Sequence, residues 1–451
     1  MNRIFSPEAV SEFAHYYGFH YDNLNPVSLM RDVLSHMERG LNGQPSSLPM
    51  IPSYISPISH VPPGRTVLAL DAGGTNLRAS LVRFGENGKA VAEGTVKTPM
   101  PGTQGRVGAE EFFDKIAALT IPLLEKASGI QGIGFTFSYP MDITSDADGI
   151  LLGFSKEVDA PEVIGKPIGR GLREAMLRKG VKFPGRIVLL NDTVATLLSG
   201  LAEIAPDGEE TKTVNKYDIT GGPVIGFILG TGFNTAYPEN DIPKIGFNSP
   251  VPQIVVCETG TFTIGCQGIL DREYDATTKN PGVYTLEKST SGAYLGPLTL
   301  HILKQAVKDG ILKFKRSGEL LALESLPTKD LNYFQHHPLA MEGPLGGIIG
   351  LDETEALATS QYIASIITER GALLSAAAVG AAVERTARGF EPYAPVRIAV
   401  EGTTYLVYKG MRKALEAWLH VMLVSRKPHS YVIVPVEQAS LFGAAVAALS
   451  R

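Results

Sequence analysis

One pattern, met twice, constrains this chain more than any other feature. Val67–Phe84 reads VLALDAGGTNLRASLVRF, and Pro223–Tyr237 reads PVIGFILGTGFNTAY. Each is an apolar strand-like run, a glycine-rich turn and a second strand. In the first copy a carboxylate, Asp71, closes the apolar run, and Gly73, Gly74, Thr75 and Asn76 form the turn. Glycine admits backbone angles closed to other residues and lets a bulky group approach the main chain. Exposed amides beside a hydroxyl make a nest for phosphate oxygens, and a strand-end carboxylate can face a hydrated divalent cation. An isolated GGTN is explained as well by a tight hairpin. The degenerate return of the motif at Gly230, Thr231 and Gly232 favours two turns that grip one polyphosphate from opposite sides.

Around the first copy run strands to Phe84 and over Val91–Thr98, then a helix over Ala109–Ala127 and the strand Gly132–Ser138. A helix around Gly165–Lys179, the strand Arg186–Asp192 and a helix over Thr193–Ile204 complete the half. Three strands followed by alternating helices and strands predict a mixed α/β sheet. Two such halves predict a duplicated fold with a cleft between its lobes. Upstream, Ser6-Pro7-Glu8 predicts a capped helix to about Tyr17, and a second helix is predicted over Val27–Glu38, stopped by Gly40. The proline-rich segment Gln44–Gly64 predicts an extended connector without regular structure.

A net charge of −5 and a pI near 6.0 give no footing for nucleic acid or an acidic membrane surface. The two cysteines, Cys257 and Cys266, make no disulfide framework and lack metal-ligand spacing, which points to a reducing compartment. Met1–Gly18 carries acids and histidine where a signal peptide needs an apolar run. Gly371–Val383 is too short to span a bilayer and reads as a buried helix, so a cytoplasmic enzyme is expected.

LALDAGGTNLR, GFTFSYP, LLNDTVATL, ILGTGFNTAY and NPGVYTLEKSTSGAYLG, with the lead-in LPMIPSYI, resemble the motifs of the ATP-dependent hexokinases in order and approximate spacing. The resemblance runs from about Leu48 to the C-terminus. It implies an α/β, two-lobed, duplicated ribonuclease-H-like fold, that of the sugar kinase, actin and chaperone ATPase superfamily. It implies a small lobe of residues 44–192 plus 438–451 and a large lobe of 193–437 with 1–43 packed on it. The implied activity is phosphorylation of a hexose, glucose first, at its 6-hydroxyl. Mannose, fructose or an amino sugar are the alternative substrates, and a sugar-binding regulator is the rival of another class.

Phosphoryl transfer to a sugar hydroxyl needs a phosphate cradle, a divalent cation, a base and a grip on the sugar. By the resemblance, the ATP cradle is Gly73, Gly74, Thr75, Asn76 and Arg78, opposed by Gly230, Thr231 and Gly232. Asp71 would hold magnesium through water, and Gly402 and Thr403 of VEGTTY would lie on the adenosine side. Asp192 ends an apolar strand just before a helix. Its carboxylate suits a helix cap, and the resemblance makes it the base for the primary hydroxyl. Ring hydroxyls ask for carboxylates and planar amides: Asn191, Asn234, Glu258 and Glu287, with Ser138 and, from GFSKEV, Ser155 and Lys156. Singly, Glu258 and Glu287 also read as solvated surface acids, although the run QIVVC favours an inward Glu258 at a strand end.

Four features depart from the family's pattern. Glu401 stands where aspartate is usual, VEQASLFGAAVAAL replaces a glycine-rich EDGSGKGAA, Thr259 replaces a tryptophan, and Phe233 sits at the second turn. The first two bear on nucleotide affinity and Thr259 on sugar selectivity; the reaction class is unaffected.

Overall fold

The computed structural model describes residues 5–58, 61–85, 89–154, 158–202, 222–386, 394–424 and 429–450. Along the chain the strands are β1 Ile51–Pro52, β2 Thr66–Gly73, β3 Asn76–Phe84, β4 Ala90–Pro99, β5 Gly132–Phe137, β6 Met141–Ile143 and β7 Gly149–Leu151. Then come β8 Arg186–Leu190, β9 Val224–Leu229, β10 Phe233–Ile242, β11 Phe247–Val256, β12 Val396–Glu401 and β13 Tyr431–Pro435. One sheet has the order β4-β3-β2-β5-β8 and the other β1-β11-β10-β9-β12-β13, with β6-β7 a separate ribbon. Apart from β1 the two large sheets repeat one topology. In each, three antiparallel strands lie in reverse order, and two parallel strands follow on the far side of the first. The duplication extends to whole sheets.

Packing explains why β2 is apolar from Val67 to Leu70. Val67 and Ala69 join the core around the Ala439–Ala447 helix, while Leu68 and Leu70 join that of Phe112, Phe113 and Ile116. A strand covered on both faces shows no polar alternation. The C-terminal helix lies so close to β5 that a Cβ on Gly134 would stand 1.7 Å from the Ala444 carbonyl. The small residues of VEQASLFGAAVAAL thus form a packing surface against β2, β5 and the Asp192–Ser199 helix. The second sheet meets the long Thr354–Thr386 helix and, through β9, β10 and β12, the Asp192–Ser199 helix. Asp192–Ser199 and Ala439–Ala447 therefore form a spine between the sheets.

Gly371–Val383 is the interior of that 33-residue Thr354–Thr386 helix. The helix is long and apolar enough to cross a membrane, yet 94% of its most apolar stretch is buried within the fold. Three local expectations are revised. Gly40 does not stop its helix, which runs Pro26–Leu41; it lets the Leu48 carbonyl approach, where a Cβ would be 2.2 Å away. The proline-rich connector contributes β1, whose two residues pair antiparallel with Val255 and Val256. The helix expected to reach Ile204 ends at Ser199, and Ile204 lies outside the described residues.

Strand register gathers the polar groups. Asp71, Thr136 and Leu190 stand in one row across β2, β5 and β8. Asn234, Ile228 and Glu401 stand in one row across β10, β9 and β12. Residues just beyond the carboxyl ends of parallel strands face the crevice of an open α/β sheet, and Ser138, Asn191 and Asp192 hold such positions.

Candidate active site

Between the sheets lies a cleft of about 570 Å³ lined by Ser138, Asn191, Asp192, Gly232, Asn234, Glu258 and Glu287. Ser155 and Lys156 fall outside the described residues. Ile51, Met141, Ile143, Leu152 and Val256 supply apolar walls. Nothing in the sequence marks Thr261, which also lines the cleft with Ser53 and Tyr284; the motifs LPMIPSYI and NPGVYTLEKSTSGAYLG contain the latter two but single out neither.

Asn191 and Asp192 take different tasks. The cap of the helix is Asn191, whose Oδ1 accepts the Thr193 amide at 2.7 Å. Asp192 is the first helical residue, and its Oδ1 accepts the Thr193 hydroxyl at 3.2 Å. A cap by Asp192, one of the two roles open to it in the sequence, is therefore excluded. An acidic group in the first turn remains favourable to the helix dipole.

The polar groups on this wall of the cleft are braced from behind. Asn234 Nδ2 donates to Glu258 Oε1 at 3.3 Å, and Asn234 Oδ1 accepts the Thr259 amide at 3.1 Å. Thr259 is buried, its hydroxyl 2.6 Å from that of Thr235, so the position of the family's tryptophan is filled by a packed polar pair. Glu287 accepts the Phe233 amide at 3.1 Å. Phe233 belongs to the core, its ring edge-on to Phe227 at 5.7 Å. Thr285 donates its hydroxyl to the Phe262 carbonyl and accepts the Ile264 amide, both at 2.9 Å. The Thr285–Thr290 helix carrying Glu287 and the loop after Glu258 thus share one frame. Burial pushes Glu258 up to about 7, aided by the negative charge of Asp192 and opposed by the Asn234 hydrogen bond. Burial raises Glu287 as well, against the Phe233 amide.

Both glycine turns are held by groups behind them. Gly74 adopts φ 79°, and its carbonyl accepts the Tyr139 hydroxyl at 2.6 Å. The Thr75 carbonyl accepts the Met100 amide at 2.9 Å. A Cβ on Gly73 would stand 3.2 Å from Asp71 Oδ1 and 3.9 Å from Ser138 Oγ, so the glycine keeps that space open. Asn76 opens β3, and Arg78 is the cross-strand partner of Asp71. In the opposite turn the Gly230 carbonyl accepts the Thr404 hydroxyl and the Gly292 amide, each at 2.8 Å, and the Thr231 carbonyl accepts the Ala293 amide at 3.1 Å. Gly402 lies against Gly230, and Thr403 begins the Thr403–Val407 helix. Carbonyls that would repel a phosphate are engaged in this way, although the Gly230 amide is also used, donating to the Gly232 carbonyl at 3.0 Å.

Glu401, at the end of β12, is pushed up to about 7 by burial, then by the charges of Asp192 and Asp71, with a hydrogen bond from Thr196 and then Arg78 opposing. Three carboxylates and one arginine therefore share an electrostatic neighbourhood beside the glycine turns. The oxygens of the three carboxylates do not converge within 4.8 Å of one another, so they would meet a magnesium ion through water rather than as a direct set of ligands.

Hexokinase family patterns match residues 9–202 and 224–450, the latter half of the chain. Hexokinase-5 of rice is 30% identical over 466 residues, covering 94% of this chain and 87% of the rice protein. The chain belongs to the hexokinase family. Mouse Hexokinase-3 is also 30% identical, over 84% of this chain, but the chain spans only 41% of that protein's length. A Schistosoma mansoni hexokinase solved in complex with glucose superposes with a TM-score of 0.73 at 23% identity, over 98% of this chain and 99% of its own. That likeness establishes the two-lobed hexokinase fold.

Proposed function

We propose that the protein transfers the γ-phosphoryl group of ATP to the 6-hydroxyl of a hexose, with glucose the first substrate. One observation carries this most strongly. Asp192 lies on the cleft beside the sugar-type acceptors, while its neighbour Asn191 does the work of capping the helix. In this account Ser138, Asn234, Glu258 and Glu287 pair the ring hydroxyls, and an analogue lacking one leaves a buried acceptor unsatisfied. Asn191 contributes its amide nitrogen. The amides of both glycine turns and Arg78 hold the phosphates. Asp192 takes the proton of the 6-hydroxyl as the new oxygen–phosphorus bond forms and the bond to the leaving ADP breaks. The proton then passes from Asp192 to solvent. Magnesium, held through water by Asp71, would offset the charge on the phosphates. The lobes, 44–192 with 438–451 and 193–437 with 1–43, would close over the sugar and keep water from acting as acceptor.

Coupled ADP release with ATP and magnesium over glucose, mannose, fructose and glucosamine tests this. Hexose-dependent ADP formation, greatest with glucose, is expected. Sugar binding without turnover of any hexose would instead make the protein a sugar-responsive regulator.

A further inference from the structure

We propose that His36, on the Pro26–Leu41 helix and away from the cleft, is a positioning residue for the loop that orients Glu258, acting through Ser47. His36 Nδ1 lies 2.8 Å from Ser47 Oγ and 3.3 Å from the Ser47 amide, which donates to it. Ser47 Oγ also accepts the Thr263 amide at 3.1 Å. The Ser47 hydroxyl proton is therefore free to point at His36, and Nδ1 acts as the acceptor. On the other side the Thr261 hydroxyl donates to the Ser47 carbonyl and reaches the Glu258 carbonyl at 2.7 Å. The His36 ring stands edge-on to Phe262 at 5.2 Å, and the Ser46 hydroxyl donates to the His36 carbonyl at 2.7 Å. Thr261, Phe262 and Thr263 thus all fasten to one histidine and its serine. Thr261 lines the cleft, whereas His36 does not.

Protonation would turn Nδ1 from acceptor to donor. The Ser47 amide would lose its partner and the Ser47 hydroxyl would have to rotate. The ring faces Ser46 and Ser47 of the connector and Phe262 of the loop, and the charges it senses are Arg39 and Asp32 on its own helix. Burial and then Arg39 hold it below the usual 6.5, with Asp32 opposing. With the folded value lowered, the anchor is fully present above pH ~6.5 and is lost as pH falls through the lower folded value. Hexose affinity therefore weakens on the acid side. The consequence for catalysis rests on Glu258 gripping the hexose, as proposed above.

Two replacements separate anchoring from packing. His36→Asn keeps an acceptor near the Nδ1 position and does not titrate. His36→Phe keeps a ring against Phe262 and removes the acceptor. Hexose KM and kcat are measured for parent and both variants from pH 5.5 to 8, with amide exchange of residues 258–263 followed by mass spectrometry. At pH 7.5 the Phe variant should raise hexose KM about fivefold, the worth of one ordinary hydrogen bond, with kcat within about twofold of the parent. The Asn variant should restore KM and lose part of the acid-side rise seen in the parent. The 258–263 amides should exchange faster in the Phe variant. A Phe variant with parental KM, or an Asn variant with the full parental acid-side rise, overturns the inference. If the parent turns over no hexose, the proposed function fails, and the exchange measurement alone decides whether His36 anchors the loop: parental exchange in the Phe variant refutes it.

Discussion

Asn234 and Glu258 meet on the wall of the cleft, the amide nitrogen 3.3 Å from the carboxylate, while the Asn234 carbonyl receives the Thr259 amide at 3.1 Å. The asparagine thereby holds one oxygen of a carboxylate proposed to accept from the sugar. Glu258→Gln preserves shape and removes charge, so hexose binding should weaken by ~1.5–3 kcal/mol, the range for hydrogen bonds to charged groups. Titration calorimetry with glucose measures this; unchanged affinity would place Glu258 outside sugar recognition.

Glu258 also links binding to pH. Its folded value of about 7 exceeds the ordinary 4.5 because of burial first and Asp192 second. The stability it contributes is fully present below about pH 4.5 and is lost as pH rises through about 7. Sugar hydroxyls donating to the carboxylate favour its ionised form, so hexose binding near pH 7 should release protons. Calorimetry in buffers of different ionisation enthalpy should show that release in the parent and less of it in Glu258→Gln. Buffer-independent heats in the parent would contradict the linkage.

On the phosphate side, Asp71 pairs across the strands with Arg78 beside the open space at Gly73. Asp71→Ala should lower kcat by ~100-fold or more, the typical loss on removing one well-placed electrostatic contact, with hexose binding intact. Parental turnover would reduce the first glycine turn to a hairpin.

The opposite turn offers a milder test. Thr404→Val removes the 2.8 Å hydrogen bond to the Gly230 carbonyl at nearly constant volume. The KM for ATP should rise by roughly fivefold, the worth of one ordinary hydrogen bond, while the KM for hexose stays put. Equal effects on both substrates would mean that the change unsettles the whole lobe.

The repeated glycine turns made the two-sheet architecture legible, because strand–turn–strand periodicity and the order of later elements are local properties of the chain. What depended on a distant partner was not. The pairing of Ile51 and Pro52 with Val255 and Val256 comes from β11, and no local signal announces it. Gly40 looked like a helix stop because its packing partner is the Leu48 carbonyl beyond the helix. Phe233, unusual at a phosphate turn, is explained by its core contact with Phe227, which lies outside the turn itself. In the site, the resemblance to hexokinase motifs was what pointed to Asp71, Asn234, Glu258 and Glu287, since Glu258 and Glu287 taken singly also read as surface acids. The division between Asn191 and Asp192 required the backbone, since either side chain can cap a helix. The clamps from Gly292, Ala293 and Thr404 were hidden because they act largely through main-chain groups.

Asp192 carries the central claim, and single-turnover phosphoryl transfer by Asp192→Asn, run beside glucose calorimetry and urea unfolding, tests it most directly. Asn191 retains the cap, so unfolding should match the parent closely, and glucose affinity should fall only modestly. The amide cannot accept the hydroxyl proton, so the transfer rate should drop by ~10²–10⁴-fold. A folded, glucose-binding variant that transfers phosphate at near-parental rates would contradict the assignment of Asp192 as the base.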